Sequence, residues 1–429
     1  MAKQLHKRFS TEEMKMLLRK YLDEKVELIY ILEILKIKRR RFFELLKEYR
    51  KDPDGFSIEY DRKKPTRKIP TEVEKNIITE LEKEKELIDN EEIPINHYNY
   101  SYIKDQLKGK YNREVSLPTI IKRAKKMGFY KKRKRNKKSH EREVQTDYIG
   151  QIIQHDSSYH KFSPYADKKW YLITSLDDYS RFILYYKFVE KETTWQHILA
   201  LQDVFLTHGV PFRYYVDSHS IFRFVQGRDS IWRRHYLLTD DVNTQWKMVL
   251  NDLNVDVVYA LSPQARGKIE RSYQWMQDRV VRTCARERIT TIDEAQKVLE
   301  EEVERYNYHQ VHSTTGEIPI IRFQRAKREK KSLFRDFVVP SPYKSIKDIF
   351  CLRVKRKVDA YHKISINNLK LKVHKAPLRS EVELRIYPDE KEGVAEIRIW
   401  YKDILTDACK FQCKIVHVFR FNFVHFLAE

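Results

Sequence analysis

The chain has 429 residues, room for about three domains at roughly 150 residues each, and Lys plus Arg (85) exceed Asp plus Glu (62) to give a formal charge of +23. Such a charge draws in polyanions, either nucleic acid or an anionic membrane surface, and 41% hydrophobic with 13% aromatic residues is too apolar for a disordered basic tail. Only nine glycines occur, the nearest two (Gly209 and Gly227) being 18 positions apart, which excludes the Gly-rich phosphate cradle of a Walker-type ATPase or an NAD enzyme.

The N-terminal residues Met1 to Phe9 lack the apolar stretch of a signal peptide. No run approaches the ~18 apolar residues of a membrane span, so a reduced, cytoplasmic compartment without membrane contact is expected. Residues 1–65 predict a helix-turn-helix DNA-binding domain. Ser10-Thr11-Glu12-Glu13 is a capping box, with Leu17, Leu18, Tyr21 and Leu22 following at helical spacing. Val26, Ile29 and Leu32 mark a short second helix. A third begins near Lys38, Arg39, Arg40 and Arg41 and carries Phe42, Leu45, Leu46 and Tyr49.

Residues 66–130 predict a second helix-turn-helix domain: a capping box at Thr71 to Glu74 opens one helix, 98–107 forms the next, and 116–127 the last, with Ser116 as N-cap. In this last helix Ile120, Ile121 and Ala124 face the supporting helices, leaving Thr119, Lys122, Arg123, Lys125 and Lys126 outward. That is the layout of a major-groove recognition helix, and also of an ordinary bundle with a solvated basic face. Two such units in tandem on a chain of this charge favour DNA. Residues 131–143, with Lys131, Arg133 and Arg135, read as a basic linker that also suits a phosphate backbone.

From residue 150 the texture turns to strands, expected at 150–156, 170–177 and 181–189, with the turn Asp177-Asp178-Tyr179-Ser180 joining the last two as a hairpin. Helices at 193–207 and 243–253 alternate with strands at 212–217 and 255–259, and a long helix covers 263–286. The class this describes is an α/β mixed sheet flanked by helices. A basic connector, 311–342, leads to short alternating segments over 343–429 whose spacing suits a small β-barrel. Residues 419–427 read as a final strand or a partner-binding tail. The four cysteines (Cys284, Cys351, Cys409, Cys413) are too scattered for a disulfide framework, and no second Cys or His pair stands at zinc-finger spacing from Cys409 and Cys413.

Metal-assisted phosphoryl chemistry needs hard oxygen ligands converging on two cations about 3.5–4 Å apart. Ends of adjacent strands plus a crossing helix supply such a set: Asp156 ends the first strand, Asp217 the fourth, and Glu270 lies one to two turns into the helix opened by Ser262-Pro263. That helix has a core stripe at Ile269, Tyr273, Met276 and Val280, and Glu270 stands about 100° round from Ile269, toward the sheet edge. Asp177, Asp178, Asp240 and Asp241 compete, but the first two suit a hairpin turn and the last two a helix cap.

The string Tyr259-Ala-Leu-Ser-Pro-Gln-Ala-Arg-Gly-Lys-Ile-Glu-Arg271, with Leu172-Ile-Thr-Ser-Leu-Asp-Asp-Tyr-Ser-Arg181 upstream, resembles DDE transposases with a retroviral-integrase-type, RNase H-like core. Val216-Asp-Ser-His-Ser-Ile-Phe222, Met276-Gln-Asp-Arg279, Arg305-Tyr-Asn-Tyr-His309 and Thr315-Gly-Glu-Ile-Pro319 narrow the likeness to the ISNCY type of bacterial insertion sequence. The resemblance implies a catalytic domain over 144–310. Its acidic triad falls on Asp156, Asp217 and Glu270, binding two Mg2+ ions, or Mn2+, per site. It further implies cleavage at 3′ ends and strand transfer into target DNA, terminal inverted repeats bound by the N-terminal units, at least a dimer, and a nucleoid-associated location. Arg266, Lys268 and Arg271 are DNA-contact candidates, and His219 is a secondary donor. Two departures stand out: Ser218 and His219 replace the commoner Asn-Gly after the second aspartate, and an insertion at about 220–242 lengthens the path to Glu270. The insertion holds DNA or a partner subunit, or extends the sheet. A joining-deficient nuclease and a silent DNA-binding regulator are the rival readings.

Overall fold

A computed structural model describes residues 5–59, 69–130, 145–217, 221–222, 244–260, 267–366, 369–390, 392–416 and 423–426. The chain divides into two units, residues 1–75 and 76–429.

In the first unit, Ser10 opens α1 (Thr11–Leu22). Its hydroxyl accepts the Glu13 N–H at 3.2 Å while the Glu13 carboxylate accepts the Ser10 N–H at 2.8 Å, so two otherwise open donors are satisfied reciprocally. Helices α2 (Leu28–Leu35) and α3 (Arg39–Lys51) complete a core of Met14, Leu18, Ile31, Leu35, Phe42, Leu45, Leu46, Tyr49 and Phe56. The buried face of α2 is Ile31 and Leu35, whereas Ile29 is 70% exposed. Val26 and Leu32 pack half-buried against this core, so of the three residues that mark the helix only Ile29 faces solvent. The Arg8 guanidinium fixes its end, donating to the carbonyls of Leu35 and Ile34 at 2.9 and 3.0 Å.

The second unit carries most of α4 (Thr71–Asp89), then α5 (Tyr100–Tyr111) and α6 (Leu117–Lys126) ahead of a five-stranded sheet. Its strands are β1 (Ile153–His160), β2 (Trp170–Asp177), β3 (Ile183–Val189), β4 (Arg213–Val216) and β5 (Asp256–Tyr259), in the order β3-β2-β1-β4-β5. The first three pair antiparallel, and β4 and β5 run parallel to β1. Helices cover the sheet in two apolar clusters. Trp195, Leu201 and Phe205 of α7 (Thr194–His208) and Trp246 and Leu250 of α8 (Gln245–Asp252) join one cluster. Ile269, Tyr273, Met276 and Val280 of α9 (Gly267–Glu287) and Leu299 and Val303 of α10 (Ile292–Tyr308) join the other, with Leu172, Leu176 and Phe188 of the sheet. The stripe expected on α9 is therefore its buried face.

Residues 311–342 hold α11 (Pro319–Arg328) and short bridges that bind Ser332 to Ile149 and Arg335 to Val210. Gly150 at the foot of β1 has φ +70°, and a Cβ there would stand 2.7 Å from the Phe334 ring, so a side chain is excluded by conformation and by space.

The C-terminal region departs from the expected barrel. Strands β6 (Leu352–Lys357), β9 (Glu381–Asp389), β10 (Val394–Tyr401), β11 (Ile404–Val416) and β12 (Phe423–Phe426) form an antiparallel sheet in the order β12-β11-β10-β9-β6. Strands β7 (Lys363–Ile366) and β8 (Leu369–Lys372) make a separate hairpin, and among the described residues no ladder closes the sheet. The reason is burial. Val382, Leu384, Ile386, Ala395, Ile397 and Ile399 enter the same cluster as α7 and α8, so helices cover the apolar face that closure would otherwise hide. Trp195 of α7 packs edge-on against Tyr387 at 5.3 Å, and Arg353 of β6 pairs with Asp252 of α8 at 2.6 Å.

Candidate active site

Asp156 lies inside β1 rather than at its end, because the antiparallel ladder to β2 carries β1 on to His160 opposite Trp170. What stops near Asp156 is the other partner. The parallel ladder pairs Ile153 with Tyr214 and Gln154 with Tyr215, and β4 ends at Val216. Carried two residues further, that register sets Asp156 level with Asp217 at the edge where β4 gives out.

Helix α9 lies along the same side of β1. The Ile269 N–H donates to Gln154 Oε1 at 3.1 Å, the Tyr273 hydroxyl to the Asp156 carbonyl at 2.5 Å, and Gln277 Nε2 to Ser158 Oγ at 2.8 Å. Two strand residues advance about 6.6 Å and four helical residues about 6 Å, so three contacts at these intervals stay in step. Glu270, half-buried, follows Ile269 on the turn of α9 that meets Gln154. Asp156 is 9% exposed, and its Oδ1 accepts the Ser157 N–H at 2.9 Å.

Three carboxylates from two adjacent strands and one crossing helix are hard oxygen donors of the kind Mg2+ and Mn2+ take. By donor chemistry the set fits such ions. Among the described residues, no three His, Cys, Asp or Glu side chains are drawn together tightly enough to enclose a metal.

Two of the competing aspartates, Asp177 and Asp178, have structural duties. Buried Asp177 accepts the N–H groups of Gly150 and Ser180, both at 2.8 Å, and the Ser180 hydroxyl at 2.5 Å. Burial pushes its carboxyl up to about 6 in spite of these donors. Asp178 receives Gln154 Nε2 at 2.5 Å and Thr146 Oγ1 at 2.8 Å, so Gln154 is held between the hairpin and the start of α9. On the opposite face of β1, His155 Nε2 meets His197 Nδ1 at 2.8 Å, and His197 Nε2 meets Glu192 at 3.0 Å. His155 stacks on Trp246 at 5.9 Å, and burial, then His197, lowers it well below the usual imidazole range. This buried histidine pair, unmarked in the sequence reading, stiffens the strand behind Asp156.

The DNA-contact candidates fall into separate groups. Lys38, Arg39, Arg40 and Arg41 are exposed at the start of α3, with Arg40 and Arg41 on Glu44 at 3.3 and 3.2 Å and Arg39 over the Phe43 ring at 5.7 Å. On α6, Ile120 and Ala124 are buried and Ile121 half-buried, while Lys122 and Lys126 are exposed and Thr119 and Arg123 half-buried. Arg271 is exposed. Lys131, Arg133, Arg135, His219, Arg266, Asp240 and Asp241 lie outside the described residues, as do the Lys268 side chain and nearly all of the insertion.

His312 stands 6.2 Å from the Tyr306 ring, edge to face, and burial together with Arg181, Arg271 and Arg322 lowers it to about 4. It is therefore neutral in the folded chain at pH 6, and stability falls as pH drops from about 6.5 toward 4, where the unfolded chain takes the proton first. Proton NMR should show one imidazole titrating near pH 4, absent from His312→Asn. A His312 midpoint near 6.5 would refute this.

No protein-family model matches the chain. It is 28% identical over 180 residues to the transposase-like protein y4bF of Sinorhizobium fredii, a match covering 42% of this chain and 38% of that one. It is 26% identical over 171 residues to the transposase for insertion sequence IS1202 of Streptococcus pneumoniae, covering 40% and 35% respectively. Over these stretches the chain is similar to bacterial insertion-sequence transposases. The match spans little more than a third of these transposases' own length. Among solved structures, the HTLV-2 integrase catalytic core in complex with magnesium aligns with a TM-score of 0.31 and 15% identity, covering 41% of this chain and 97% of that one. Among the described residues, no helix is long and apolar enough to cross a membrane.

Proposed function

We propose that this chain is a DNA transposase with a DDE centre made of Asp156, Asp217 and Glu270. The observation that carries the reading is the β1–β4 register continued to Asp156 and Asp217, with the Glu270 helix bonded along β1. Similarity to two insertion-sequence transposases and the charge of +23 support it. The three carboxylates would hold two Mg2+ ions, or Mn2+. When bound, the ions activate the attacking oxygen and stabilise charge on the scissile phosphate. The chain's own residues do the positioning: Tyr273 and Gln277 fix β1 against α9, and Arg266, Lys268 and Arg271 flank Glu270 to meet phosphate charge. The helical units at 1–65 and 66–130 bind terminal inverted repeats through Lys38 to Arg41 on α3 and Thr119, Lys122, Arg123 and Lys126 on α6. The linker at 131–143 follows the phosphates with Lys131, Arg133 and Arg135, and the core at 144–310 cleaves 3′ ends and joins them to target DNA. Two element ends require at least a dimer, working in the cytoplasm at the nucleoid.

The test incubates the protein with a labelled terminal-repeat duplex and a plasmid, with Mg2+ or with EDTA. Joined product that requires the metal is expected. Cut but unjoined ends would assign a nuclease, and shifted, uncut DNA a binding regulator.

A further inference from the structure

We propose that Tyr98, Tyr100, Phe129 and Tyr130 form a stacking platform for the bases of single-stranded DNA, distinct from the carboxylate site. The ring geometry carries the inference. Tyr98 lies nearly parallel to Tyr100 (9°, centroids 6.1 Å apart) and to Phe129 (21°, 6.2 Å), and Tyr100 to Tyr130 (18°, 6.2 Å). Core pairs such as Tyr49 with Phe56 (88°) and Trp195 with Tyr387 (89°) meet edge to face, while the buried His155–Trp246 pair stacks in isolation at 13° rather than in a row. The contacts run Tyr130–Tyr100–Tyr98–Phe129 as one row of near-parallel rings, and an unpaired base extends such a row by stacking at its exposed end, Tyr130.

The platform is anchored and reachable. The Tyr100 hydroxyl donates to the Phe129 carbonyl at 2.9 Å, joining the first turn of α5 to the segment after α6. Tyr130 is 39% exposed, and Tyr98, Tyr100 and Phe129 are half-buried. Cations stand at the ring faces: Lys125 Nζ lies 4.8 Å from the Tyr130 centroid and Lys85 Nζ 5.6 Å from that of Phe129. In the sequence Tyr130 is followed by Lys131-Lys-Arg-Lys-Arg-Asn-Lys-Lys138. Aromatic faces interleaved with lysines take bases and phosphates together, whereas a duplex keeps its base faces stacked and unavailable. The choice of DNA over RNA rests on the transposase reading, but the ring geometry does not.

Fluorescence anisotropy with the full chain in EDTA, using a labelled oligo-dT and a hairpin duplex, tests the platform without any cleavage. Tyr130→Ala should weaken oligo-dT binding roughly ten-fold and leave duplex binding within about two-fold. Tyr130→Trp should restore it, with tryptophan fluorescence quenched on binding. Unchanged oligo-dT affinity in Tyr130→Ala would overturn the proposal, as would an equal loss for both ligands or a loss of self-association alone. A preference for oligo-U over oligo-dT would overturn the DNA assignment. A chain that binds oligo-dT through Tyr130 but never joins DNA would refute the transposase reading and leave the platform standing.

Discussion

Asp217→Asn is expected to abolish metal-dependent nicking and joining, with a loss of roughly 10³-fold or more, while binding of the terminal-repeat duplex stays within about two-fold. The substitution keeps the size of the side chain and removes its charge, so it tests ligation rather than packing. Asp156→Asn is the stricter companion. Its amide oxygen still accepts the Ser157 N–H that Asp156 Oδ1 accepts at 2.9 Å, so the strand retains that bond and only the anionic donor is lost. Residues that act as one unit are not additive, so Asp156→Asn/Asp217→Asn should be no slower than either single variant. Single-turnover cleavage on a preformed protein–DNA complex, titrated with Mg2+ and with Mn2+, reads this directly. Activity retained in Asp217→Asn, or a double variant slower by the product of the two single effects, would remove these carboxylates from a common centre.

The parts of the fold that the sequence reveals are those with short-range signatures. The stripe Ile269, Tyr273, Met276 and Val280 predicts which face of α9 is buried, and it is. The Ser10–Glu13 capping box fixes where α1 starts, since both of its bonds close within one turn. What escapes is pairing at a distance. That β1 runs past Asp156 depends on a ladder with β2, and β1's own residues (Ile-Gln-His-Asp-Ser-Ser-Tyr-His) look too polar for a central strand. They are tolerated because Gln154, His155 and Ser157 each find a partner from another element. The barrel misreading has the same origin. Alternation at 382–386 and 394–399 shows that one face is apolar, but whether that face rolls on itself or meets α7 and α8 is decided by residues far away in the chain. The same holds for the aromatic platform, whose rings come from segments about 30 residues apart.

The largest loss of stability is expected from Arg282→Met, about 3–5 kcal/mol. Arg282 on α9 is fully buried and donates Nη1 to Glu84 of α4, itself fully buried, and Nη2 to Asp278 at 2.8 Å and to the His97 carbonyl at 2.5 Å. Around it, Arg286 reaches Glu80 at 2.5 Å, Arg279 reaches Asp105 of α5 at 2.7 Å, and both guanidiniums lie 5.1 Å from the Tyr102 ring. This network fastens α4 and α5 to the helix that carries Glu270. Removing one guanidinium strands a carboxylate in the interior, which costs more than the pair itself is worth, so Arg282→Met/Glu84→Met should recover much of the loss. The pH dependence has a definite sign. Burial already pushes the Glu84 carboxyl up although Arg282 and Arg286 pull it down. Without Arg282 the native state binds a proton at Glu84 more readily than the unfolded chain does. The penalty of the single variant therefore grows as pH rises and shrinks as pH falls. Thermal unfolding of wild type, both single variants and the double variant between pH 5 and 8 supplies the cycle. A penalty independent of pH, or a double variant no more stable than Arg282→Met, would show that the buried pair does not hold these helices to α9.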